Sequence, residues 1–335
     1  MNCIEKVLKE FPLVVLDGAF GTEVARRGFD TSSDLWAAQA LFERPDLVKA
    51  VHRDYYDAGA DITTSASYQA TVEGFERKGF SHDQAADLIR LSVRLVREAR
   101  DEFLQARQQQ YSAGTVTDRR PSPLAAASVG PYGAYLSDGS EYTGNYKIGK
   151  AELADFHEER IALLLEAKPD ILACETLPLF QEAEAILKDI NKHPDALAWI
   201  SFSCKDGKHT CGGDLISDCA RFLDKEPKVA AIGVNCTDPD YVSDLIREIK
   251  KETDKPVLVY PNTGETYNPE TKSWIGAPHP YHAYVKQWFE SGARLIGGCC
   301  GTTPDDIRGI TELRKALLEQ ANMSGFLLRT SHKLI

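Results

Sequence analysis

Eight short, β-rich apolar runs recur along this chain, each followed by a longer amphipathic stretch, and that alternation constrains the fold more than any other feature. The runs lie at 13–17, 61–65, 124–130, 170–175, 198–203, 230–236, 256–262 and 294–300. Most are near-continuous hydrophobic stretches, as parallel strands covered on both faces require. Helical patterns between them span 46–58, 81–103, 151–167, 179–190, 214–223, 240–250, 281–291 and 304–321. Ser81 suits the N-cap of the second. Thr303, Pro304, Asp305 and Asp306 form a start signal for the last. Eight βα units with no boundary linker predict a single (β/α)8 barrel over residues 1–321, with 322–335 as a peripheral tail. The competing open, doubly wound sheet predicts a phosphate loop after the first strand, but that turn reads Gly-Ala-Phe-Gly-Thr-Glu. The polar, Gln-rich segment 105–123 is predicted to be a mobile surface connection.

Composition narrows the function. The formal net charge is −11, and no Lys/Arg cluster exceeds pairs such as Arg119–Arg120, which argues against nucleic acid as a partner. An acidic surface also disfavours anionic membranes. No apolar run approaches the ~20 residues of a membrane helix, and the N-terminus lacks the apolar core of a secretion signal. A cytoplasmic protein is therefore expected, with its eight cysteines reduced.

Barrels of this kind carry their reactive groups at the C-terminal ends of the strands. The eighth predicted strand ends Gly297-Gly298-Cys299-Cys300-Gly301. Two neighbouring thiolates in a glycine-rich turn can ligate one metal if the backbone bends sharply, and the glycines permit that. Zinc with three protein ligands and one open position describes a catalytic site. Cys236, at the end of the sixth predicted strand, is the best third ligand on the same rim. Burial as small apolar side chains is the competing role for all three. Cys3, Cys174, Cys204, Cys211 and Cys219 read as inert or packing residues, and the eight His show no metal spacing. Zinc held by thiolates is a weak Lewis acid that keeps bound sulfur nucleophilic, so such a site suits activation of a substrate thiol.

The motifs Asp17-Gly18-Ala19-Phe20-Gly21-Thr22-Glu23, Asp34-Leu35-Trp36, Ala66-Ser67-Tyr68-Gln69-Ala70-Thr71, Ser128-Val129-Gly130-Pro131-Tyr132-Gly133-Ala134, Ala173-Cys174-Glu175-Thr176, Gly233-Val234-Asn235-Cys236 and Gly297-Gly298-Cys299-Cys300-Gly301-Thr302-Thr303-Pro304 resemble, in order, those of the homocysteine S-methyltransferases. The resemblance implies one catalytic Zn(2+) on Cys236, Cys299 and Cys300, with the homocysteine sulfur bound to it. It further implies that Glu175 engages the substrate amino group, that Asp17 and Gly18 hold the amino-acid end, and that Asn235 shapes the site. Ser65 belongs with this homocysteine set; the betaine-using branch has Thr there, and an aromatic residue where this chain has Thr176. The motifs are closer to the branch using S-methylmethionine or S-adenosylmethionine.

The expected reaction is transfer of a methyl group from a sulfonium donor to homocysteine, giving methionine. S-methylmethionine is favoured as donor and S-adenosylmethionine comes second. Phe20, Trp36, Tyr68 and Tyr132 are candidates to face the sulfonium charge. The alternatives are a betaine-dependent enzyme, or a non-catalytic barrel whose structural zinc takes Cys204 as fourth ligand. Oligomeric state stays open.

Overall fold

A computed structural model describes residues 1–115, 120–264, 266–268, 273–276 and 281–331. Eight parallel strands form its frame: β1 (Val14–Val15), β2 (Ile62–Thr64), β3 (Leu124–Val129), β4 (Ile171–Leu177), β5 (Ala198–Phe202), β6 (Val229–Asn235), β7 (Val257–Tyr260) and β8 (Ala293–Ile296). Neighbours in the chain pair from β2 through β8, and β8 pairs back onto β1. A parallel bridge between Leu16 and Ile62 closes the ring, with Asp61 N–H donating to Val15 O at 2.7 Å and Asp17 N–H to Ile62 O at 3.1 Å. The result is the (β/α)8 barrel predicted from the alternation.

Side chains alternate across the strands and sort into two cores. Inside the barrel, Val14, Leu16, Ile62, Ala126, Ile171, Ala173, Trp199, Leu258 and Leu295 pack together. Ile4, on a short N-terminal helix (Cys3–Leu8), joins this inner cluster and is fully buried. The outer faces of the strands pack against the surrounding helices in a second, larger cluster. That helix, another over Phe20–Arg26 and a hairpin pairing Thr266–Asn268 with Ser273–Ile275 add to the expected elements.

The ends of elements moved where local signals were weak. The second long helix runs over His82–Ser112, opened by Ser81 and Gln84 in a reciprocal cap. It therefore takes in residues 105–112, expected to be connection; residues 116–119 lie outside the described set. The last helix continues over Pro304–Ser331 rather than stopping at 321, so the expected tail is largely helical; 332–335 lie outside the described residues. Asn322 and Gly325 do not end it, because one interior glycine costs only about 1 kcal/mol.

Arg314 of that helix is buried against the carboxylate of Asp61, which also accepts from Val15 N–H at 2.8 Å. The pair ties the last helix to the bottom of β1 and β2. Removing one partner strands a buried charge. Arg314→Met should therefore lower unfolding stability by about 3 kcal/mol, read as a shift in the urea midpoint with unchanged slope.

Candidate active site

Residues far apart in sequence meet at the C-terminal ends of the strands. Cys236 follows β6, and Cys299 and Cys300 follow β8. Their Sγ atoms all lie within 4.8 Å of one another, the one grouping of at least three such ligands among the described residues. Cys236 and Cys299 are in direct sulfur contact, with Cα atoms 5.5 Å apart. Three sulfurs converge so closely that two of them reach bonding range.

The glycines before the pair act differently from the sequence expectation. Neither Gly297 nor Gly298 has positive φ; Gly301 does, at 86°. What Gly297 allows is close approach. A Cβ there would meet Leu16 Cβ at 2.5 Å and Asp17 O at 2.6 Å. The exit of β8 can therefore lie against β1, with Gly298 N–H donating to Asp17 O at 2.9 Å and Cys299 N–H to Pro261 O at 2.8 Å. Thr302 locks the loop by donating to Cys299 O at 2.7 Å.

Asn235 stands at the centre of the wall. Its Oδ1 accepts from Thr176 N–H at 2.7 Å and from Ser201 Oγ at 2.8 Å, and its Nδ2 donates to Thr176 Oγ1 at 2.7 Å. Thr176 and Cys236 both sit at positive φ, 61° and 45°, which side chains with a Cβ rarely adopt. The β4–β5 register shifts between Cys174 and Leu177, a bulge that contains Glu175 and Thr176. Bulges of this kind re-aim side chains. Here Glu175 is turned into the cavity, and Asn235 holds the turn.

The Glu175 carboxylate accepts from Ser128 Oγ and is also hydrogen-bonded by Tyr260. Burial outweighs both and pushes its carboxyl pKa up to about 7. Asp17 accepts from Thr64 N–H at 2.7 Å and Thr64 Oγ1 at 3.2 Å, yet burial pushes it up to about 8, with the Glu175 charge adding to the rise. Ser65 Oγ accepts from Ser128 N–H at 3.1 Å and bonds Ser67 Oγ at 2.7 Å, while Ser67 donates to Ser128 O. Its proton therefore goes to Ser67, and one lone pair still faces the cavity wall.

The cavity encloses about 790 Å³, counting its open mouth. All three cysteines, Asp17, Gly18, Ser65, Glu175, Asn235, Phe20, Trp36 and Tyr68 line it. Tyr132 does not. Its ring packs on Tyr135, Tyr146 and Phe156 at 4.9–5.6 Å, and its N–H donates to the buried Glu182 at 2.6 Å. Tyr142 lines the cavity, as do Ser128 and Tyr260. The last two stood at strand ends in sequence, but nothing there showed that their hydroxyls meet Glu175. Cys204, buried at the end of β5, lies outside the sulfur grouping.

Residues 14–314 match the family described as Homocysteine S-methyltransferase. Homocysteine S-methyltransferase YbgG of Bacillus subtilis is 49% identical over 319 residues, covering 95% of this chain and 99% of that protein. The homocysteine methyltransferase MmuM of Escherichia coli superposes in its oxidized form with a TM-score of 0.82 and 39% identity, covering 93% of this chain and 99% of that one. Its metallated form gives 0.80 and 40%, covering 92% and 99%.

Asn235→Ala would leave the Thr176 N–H without its partner and remove three buried hydrogen bonds. We expect a loss of about 3 kcal/mol in stability, measured by urea unfolding.

Proposed function

Because this chain belongs to the homocysteine S-methyltransferase family, we propose that it transfers a methyl group from a sulfonium donor, S-methylmethionine first and S-adenosylmethionine second, to the thiolate of L-homocysteine. The observation that carries this reading is the convergence of three cysteine sulfurs on a cavity that also holds two buried carboxylates. The donor set fits zinc: three soft sulfur ligands, two of them on a loop braced by Thr302 and Pro261. MmuM, described in oxidized and metallated forms, supports a metal at such a site and a second, oxidized state. Cys236, Cys299 and Cys300 would hold zinc, which when bound would supply the charge that keeps a substrate thiol deprotonated at neutral pH. We place the enzyme in the cytoplasm, where these cysteines stay reduced; no helix among the described residues is long and apolar enough to cross a membrane.

The chain's own groups do the rest. Glu175 and Asp17 receive the homocysteine ammonium, and Ser128, Tyr260 and Thr64 keep both carboxylates in place. Phe20, Trp36, Tyr68 and Tyr142 offer aromatic faces to the sulfonium. The homocysteine sulfur attacks the methyl carbon, the donor's carbon–sulfur bond breaks, and its electron pair leaves on a neutral thioether. No proton moves in that step, so no general base is needed. Positioning and electrostatics carry the rate. The structural-zinc reading needs a fourth protein ligand, and Cys204 is not placed to serve.

Two experiments test this. Zinc-loaded protein and homocysteine are offered S-methylmethionine, S-adenosylmethionine, betaine and methyl-folate in turn; methionine should form fastest with the first, and none from any donor sinks the reading. In the same assay Cys299→Ser should lose bound zinc and activity together, whereas an active, zinc-free variant refutes the ligand set. The second concerns pH. Glu175 gains charge as pH rises through about 7, so the KM for homocysteine should fall from about pH 6 to about pH 8. Glu175→Gln should raise KM throughout and flatten that step.

A further inference from the structure

The described residues lining the reaction cavity include Asp17 and Glu175 but no Lys, Arg or His. Under the proposed reaction two amino acids enter together, and each brings an α-carboxylate as well as an ammonium. The acidic pair answers an ammonium. Nothing in the described lining answers either carboxylate with positive charge.

A second cavity of about 440 Å³ shares a wall with the first. Gln69 lines both, and Asp34 and Leu35 of the second precede Trp36 of the first. Arg77 and Lys78 line this groove with Tyr135. The Arg77 guanidinium lies 4.4 Å from the centre of the Tyr135 ring. It makes no ion pair among the described residues. A guanidinium over a ring can still offer its N–H edge to a planar acceptor. Gln69 is itself held, donating to Ala134 O at 3.1 Å, so the wall between the cavities is ordered.

We propose that this groove is the subsite for the amino-acid tail of the methyl donor, with Arg77 pairing its α-carboxylate. The inference rests on the sulfonium-donor reading above. S-methylmethionine and S-adenosylmethionine both carry such a tail, so the groove selects for it and not for one of them. Homocysteine, held by Asp17 and Glu175, is indifferent to Arg77.

The test compares S-methylmethionine with trimethylsulfonium, which has the charged sulfur and no tail, in wild-type enzyme and Arg77→Met. The ratio of kcat/KM for the two donors should fall about tenfold in the variant, the lower end for a lost charge-assisted hydrogen bond, while the KM for homocysteine holds. Thermal melts confirm that the variant is folded; Arg77 is exposed, so its replacement leaves the core intact. An unchanged ratio, with both donors slowed alike or neither affected, overturns the subsite. If wild-type enzyme methylates homocysteine with neither donor, the reaction itself fails and the subsite falls with it.

Discussion

Two carboxylates and three cysteine sulfurs share one cavity in which no basic side chain among the described residues lines the wall. Burial in such a place disfavours every anionic form. Asp17 and Glu175 show it directly: both carboxyl groups titrate far above the ordinary carboxylate range, and each hydrogen bond they receive only moderates the rise. A site of this kind is completed by cations. On the proposed reading, a metal on the sulfurs, an ammonium at the carboxylates and a sulfonium against the aromatic wall are the charges it would receive. The affinity for them comes from the same desolvation that makes the cavity costly on its own.

Keeping like groups together demands a backbone that resists being pushed apart. Three devices supply this. The β4 bulge turns Glu175 inward, and Asn235 holds Thr176 by its N–H and its hydroxyl. Cys236 is held at positive φ directly after Asn235. Gly297 lets β8 press onto Asp17 at a distance no side chain would allow. Each device joins two strands across the rim, so the geometry depends on ring closure. The buried Asp61–Arg314 pair at the opposite end secures that closure from below.

Much of this was legible before any coordinates. Continuous apolar runs at regular intervals are a local property, and all eight strands fell inside or within two residues of their predicted spans. The cysteines were legible because strand ends in a closed barrel share one rim, which sequence position alone specifies. What escaped were facts of direction and distance. Tyr132 stood one residue after a strand-end Gly-Pro, yet its ring packs on Phe156 and Tyr146 while its backbone N–H donates to Glu182. The roles of Ser128 and Tyr260 required knowing that their hydroxyls meet one carboxylate from β3 and β7. The glycines before Cys299 were read as conformational freedom, when their use is the absence of a Cβ. The extension of the last helix shows the same limit: a weak breaker in sequence is overruled by the favourable residues on either side.

The charge balance of the proposed reaction bears on which donors suit the cavity. A thiolate and a sulfonium enter as opposite charges and leave as two neutral thioethers. A dry, low-dielectric wall favours that loss of charge in the transition state, since the charges being extinguished are poorly solvated there. Phe20, Trp36, Tyr68 and Tyr142 make such a wall. A quaternary ammonium donor would enjoy the same electrostatic gain, so charge at the reacting centre does not separate betaine from a sulfonium. Discrimination must then fall on groups that meet the donor beyond its charged centre. That shifts specificity from the reacting wall to the rim, where Trp36 and Gln69 stand between the reaction cavity and the groove of Arg77.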